Sequence, residues 1–88
     1  MISLEQVQKI AAELCATGVT DEVISALRQT YKPIHFTYCM DDDIPHNTPV
    51  LEEANFNLYL IDGRDHCLCL TNDYTVATGL VVAEIIAD

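Results

Sequence analysis

Phe56-Asn57-Leu58-Tyr59-Leu60-Ile61-Asp62-Gly63-Arg64-Asp65-His66-Cys67-Leu68-Cys69-Leu70-Thr71 is the stretch whose reading decides the fold. Phe56, Leu58 and Leu60 alternate with Asn57, Tyr59 and Ile61, the two-residue period of a strand. Asp62-Gly63-Arg64-Asp65 is a hairpin turn signal. His66 to Thr71 then alternates again, Leu68 and Leu70 against Cys67 and Cys69. Two registers compete. A two-residue turn at Gly63-Arg64 pairs Leu60 with Cys67 and puts the thiols on the leucine face. A three-residue turn, Gly63-Arg64-Asp65, pairs Leu60 with Leu68 and moves them to the face of Tyr59 and Ile61. The hydrophobic pattern favours the second arrangement.

Working outward, Leu80 to Ile86 is apolar and β-branched apart from Glu84 and reads as a final strand, with a C-terminal helix as the alternative. Asn72-Asp73 is placed to cap a short helical turn ending near Gly79. Upstream, Ile34, Phe36 and Tyr38 alternate with His35, Thr37 and Cys39, a strand with its first set on the core. Asp41 to Pro49 follows as a loop, because adjacent carboxylates repel and prolines lack donors. Val50 to Asn55 is ambiguous between one helical turn and more loop.

The N-terminal third is helical. Ser3 and Gln6 have the spacing of a capping box, and Ile2 and Val7 that of a hydrophobic staple. Leu4, Val7, Ile10, Ala11, Leu14 and Cys15 recur at helical spacing, so Cys15 reads as a core residue. Gly18 is the stop. Thr20 caps a second helix with Asp21 and Glu22 in its first turn and Val23, Ile24, Leu27 and Tyr31 on its apolar face. Pro33 ends it. Helices set apart from a run of strands predict one α+β domain over residues 1–88. Its N-terminal helical hairpin packs on one face of a mostly antiparallel sheet of about four strands.

The 88 residues carry 14 acidic and 4 basic side chains, a net charge of −10. The imbalance is concentrated late. Residues 1–40 hold four carboxylates against Lys9, Arg28 and Lys32, while residues 41–88 hold ten against Arg64 alone. Such a surface repels phosphate backbones and anionic lipid, which excludes nucleic-acid and membrane-surface binding from the expectation. It suits a basic protein partner. A chain this short buries a modest core, so a homodimer is compatible with it. The start, Met1-Ile2-Ser3-Leu4-Glu5, lacks the basic region of a secretory signal, and no apolar run is long enough to span a bilayer. A cytoplasmic protein with reduced thiols is expected.

Two chemistries compete for the site. The partner-binding reading uses Asp41, Asp42, Asp43 and His46 as an exposed acidic docking loop. The alternative is a metal- or redox-linked accessory protein using Cys39, His46, Cys67 and Cys69. Its ligand spacing is poor: Cys67 and Cys69 would sit about 7 Å apart on one strand face, and His35 and Cys39 about 13 Å apart. No cofactor is expected. No nucleophile elbow, phosphate loop or zinc-protease pattern occurs, and acidic surroundings raise a thiol pKa, so an enzyme is not expected.

The blocks His35-Phe36-Thr37-x-Cys39-x-Asp41-Asp42-Asp43-Ile44-Pro45, His66-Cys67-Leu68-x-Leu70-Thr71-Asn72-Asp73 and Ala77-Thr78-Gly79-Leu80-Val81-Val82-Ala83 carry a resemblance. They are similar to a family of small uncharacterised bacterial proteins, often encoded close to nitrogen-fixation genes. The likeness runs along most of the chain, and its first block is the more distinctive. It implies an accessory role around nitrogenase or its assembly and transfers no site residue.

Overall fold

The computed structural model describes residues 2–32, 34–44, 48–63 and 69–85. Helix α1 runs Leu4–Thr17 and α2 runs Asp21–Thr30. Both start as their caps dictate. The Ser3 hydroxyl accepts from the Gln6 backbone N–H while Gln6 Oε1 accepts from that of Ser3, each at 3.1 Å. Thr20 Oγ1 accepts from the Val23 N–H at 3.2 Å. Gly18, at φ 87°, turns the chain between them in a conformation that side chains disfavour.

Strands β1 (His35–Met40), β2 (Leu51–Glu52), β3 (Phe56–Asp62), β4 (Cys69–Thr71) and β5 (Gly79–Glu84) form one mixed sheet. Its order is β1-β5-β3-β2, with β4 also paired to β3. Two short strands therefore share one edge of β3: β2 lies beside Leu58 and Asn57, and β4 beside Leu60 to Asp62. Five strands fill the four positions that the sequence suggests. The Asn72 amide donates to the Thr48 carbonyl at 3.1 Å and ties the two short strands' ends together. Three pairings are antiparallel, and β1–β5 is parallel.

The helix pair covers the face that carries Phe36, Phe56, Leu58, Leu60, Leu80 and Val82. Leu58, Leu60, Leu80 and Val82 are wholly shielded, worth about 1.5–3 kcal/mol each. The opposite face is not bare. Tyr59, Ile61, Val81 and Ala83 are buried there, with Cys39, Ile44 and Leu70 packed against them. That second cluster explains why β3 and β5 are apolar on both sides.

Several expectations change. Cys15 and Leu4 are exposed, not core. At about 100° per residue they sit roughly 80° and 60° round the helix from Val7, on the flank of its buried stripe. Tyr38 is 39% exposed, not core. Val50 to Asn55 is neither helix nor plain loop but contains β2. Residues 74–76 form a turn and not a helix, held by the Asp73 carboxylate, which accepts from the Thr75 N–H at 2.9 Å and hydroxyl at 2.6 Å. In the hairpin, Leu60 pairs with Thr71 and Ile61 with Leu70. Cys69, opposite Asp62, thus falls on the leucine side of the sheet, against the register that the pattern favours. The leucine at 70 finds a core on the second face, which a one-core reading cannot anticipate. Cys67, His66 and the turn residues Arg64 and Asp65 lie outside the described residues.

Candidate functional site

The acidic stretch begins where β1 ends. Asp41–Asp43 is a single 3-10 turn, closed by the Ile44 N–H donating to the Asp41 carbonyl at 3.1 Å. The turn folds back over the second face of the sheet and sets Ile44 on its apolar cluster. The three carboxylates consequently part company. Asp41 Oδ1 accepts from the Asn57 amide at 2.9 Å and from the Tyr59 hydroxyl at 3.0 Å. Asp41 is a structural latch between the turn and β3. Asp42 and Asp43 are exposed.

Other acids join them from elsewhere in the chain. The parallel register sets Glu84 of β5 opposite Met40, and the Tyr38 hydroxyl donates to its Oε1. That bond pushes the Tyr38 phenol above its ordinary pKa, and the charges of Glu84 and, more weakly, Asp21 push it the same way. Asp21 stands at the start of α2. The C-terminal end of β1 is therefore an acidic corner with acids on both faces of the sheet, Glu84 and Asp21 around Tyr38 on the helix side and Asp43 beside Cys39 on the other. The sequence shows only the Asp41–Asp43 run. Glu84 and Asp21 carry no local signal, because their arrival depends on strand order.

The thiols do not gather. Cys39 faces the second cluster beside Ala83, whereas Cys69 pairs with Asp62 and belongs to the opposite side of the sheet. Three strand positions separate them, about 14 Å, so they cannot share an ion. Among the described residues no group of three or more His, Cys, Asp and Glu side chains is placed to hold a metal. His46 and Cys67 lie outside the described residues.

Cys39 is half-buried, and burial raises its pKa first, with Asp43 and then Asp41 adding to the shift. Since the thiolate is the nucleophile, Cys39 is expected to alkylate more slowly at pH 7.5 than in the urea-unfolded chain. Asp43→Asn should recover part of the rate. Mass-spectrometric timing of iodoacetamide labelling at Cys39 reads this. Equal rates in folded and unfolded protein would show that the acidic turn does not lie over the thiol.

No described helix is long and apolar enough to cross a membrane. Fold and corner together define a small α+β module, a helical hairpin on a mixed sheet with an acidic end. The chain belongs to a family of unknown function (DUF6129), whose model matches residues 9–85. Neither a curated protein nor a solved structure matches it.

Proposed function

We propose that the protein is a non-catalytic interaction module whose acidic corner docks a basic partner protein. The observation that carries this reading is that acids from three separate elements flank the C-terminal end of one edge strand, Glu84 and Asp21 around Tyr38 on the helix side and Asp43 beside Cys39 on the other, with Asp42 exposed in the same turn. The site also lies open: among the described strands β1 pairs only with β5, so alternate backbone N–H and C=O groups along its outer edge face away from the sheet. His35 donates inward to the Thr78 carbonyl, which makes Phe36, Tyr38 and Met40 the outward set, the Phe36 carbonyl being taken by Arg28. Oriented negative charge at such an edge speeds encounter with a basic surface and sets its register.

The resemblance of the His35–Pro45 block to proteins encoded near nitrogen-fixation genes supports a partner within that machinery and a bacterial, cytoplasmic setting. The test is a quantitative pull-down from native extract at low and high salt. Asp42→Asn with Asp43→Asn is expected to lower recovery of the basic partner by about tenfold at physiological ionic strength. Wild-type recovery should fall as salt shortens the screening length to about 3 Å at 1 M. Recovery that ignores both the charges and the salt would remove the corner from consideration.

A further inference from the structure

The other end of β1 has the opposite character. A concavity of about 740 Å³ opens between the last turn of α2, the start of β1 and the end of β3. Arg28, Lys32 and His35 stand on its wall, and Ile34, Phe36 and Ile61 supply apolar surface. Among the described residues that line it there is no carboxylate. The chain has only 4 lysines and arginines against 14 acids, so a wall of average composition would carry more acids than bases. This wall reverses that balance, with two of the four.

We propose that this concavity is a binding site for a small organic anion, a carboxylate or phosphate ester with an apolar body. The size falls in the usual range of ligand pockets, roughly 300–1,000 Å³, and the mixture of apolar wall and few convergent polar groups is the usual chemistry. Arg28 is held in place. One of its Nη groups donates to the Phe36 carbonyl at 3.2 Å, on the outward edge of β1. A guanidinium has five N–H donors in a fixed fork, so the bond orients the group and leaves donors for a bidentate acid. Lys32, just past the end of α2, adds a second positive charge to the same wall.

A bound anion would relieve the repulsion between the two cations beside apolar surface, where charges are less screened than in bulk water. Basic residues near a helix C-terminus also favour the helix dipole. That effect accounts for Arg28 and Lys32 but not for His35, which comes from the strand, nor for the apolar surface between them. The pocket lies at the opposite end of β1 from the acidic corner, about 17 Å away by strand length, so a ligand titration of one site does not report on the other.

The experiment is a titration of the isotope-labelled full chain, following amide resonances of Thr37, Ile61 and Thr78. The probes are phenyl phosphate, benzoate, inorganic phosphate and benzyl alcohol. Phenyl phosphate or benzoate is expected to give saturable shifts confined to these residues. Inorganic phosphate should bind at least several-fold more weakly, and benzyl alcohol should give no saturable shift. Lys32→Gln, at an exposed residue with no role in the core, is expected to weaken binding by about fivefold. Arg28→Gln should weaken it by about tenfold or more. No saturable response to either aromatic anion, an equal response to benzyl alcohol, or a response untouched by both substitutions would overturn the proposal.

Discussion

Gly79→Ala is expected to destabilise the domain by about 2–3 kcal/mol, which in a chain of this size lowers the melting temperature by roughly 10–20 °C. A methyl group on Gly79 would stand 2.6 Å from the His35 carbonyl oxygen and 3.0 Å from the His35 Cβ. The first of these is backbone of the neighbouring strand, so no flexible side chain can yield. Strand β1 would have to move away from β5. His35 and Gly79 are paired in the parallel ladder, and the whole β1 register follows from that contact. Thermal melts followed by circular dichroism measure the effect. A variant that melts within about 2 °C of the wild type would mean that β1 and β5 do not approach as described. Both proposed sites would then lose their footing, since each uses β1 to bring distant residues together.

Asp41→Ala is the second large effect, expected to cost about 2 kcal/mol. Its carboxylate takes hydrogen bonds from Asn57 and from Tyr59, a residue only 4% exposed. Removing the acceptor leaves the Tyr59 hydroxyl without its partner at the edge of the second cluster. Asp42→Ala and Asp43→Ala should each change stability by no more than about 0.5 kcal/mol, because both side chains are exposed. Urea denaturation separates the three. A second readout follows from the phenol itself. Burial raises the Tyr59 pKa, and the hydrogen bond and charge of Asp41 raise it further. In Asp41→Ala the folded-state titration of Tyr59, followed by ultraviolet absorbance, should therefore move to lower pH. Equal stability across the three variants, with an unmoved Tyr59 titration, would return Asp41 to the ranks of a solvated acid.

The contrast between Asp41 and its two neighbours shows how far a run of like residues can be read. Three consecutive aspartates look equivalent in sequence, and all three were candidates for partner contact. The turn that holds them points one at β3 and two at solvent. That difference depends on Tyr59 and Asn57, which lie 18 and 16 residues downstream and meet the turn only when the sheet has formed. Cys15 shows a related limit. Helical spacing places it near the apolar stripe, but the width of that stripe is set by what packs against α1. The hairpin register fails for a further reason. Alternation within one strand identifies two faces, and with apolar cores on both it cannot tell which face pairs with which.

The sequence by itself determined the elements whose causes are local. The capping box at Ser3 and Gln6, the Thr20 cap, the Gly18 stop and the two-residue alternation of Phe56 to Ile61 all act within a few residues. Their placement as a helical hairpin before a run of strands was enough for an α+β domain. Only the tertiary structure decided that β1 lies parallel to β5, that β2 and β4 share one edge of β3, and that two cores flank the sheet. It also decided that acids collect at one end of β1 and cations at the other. These outcomes rest on strand pairings, of which the β1–β5 ladder joins residues 44 positions apart, such as His35 with Gly79 and Met40 with Glu84. The hydrogen bonds of such a ladder are the same for any two strands, so a strand's own residues do not name its neighbour. The choice belongs to the packing of the whole chain, in which Gly79 leaves room for the His35 backbone that a side chain there would meet at 2.6 Å.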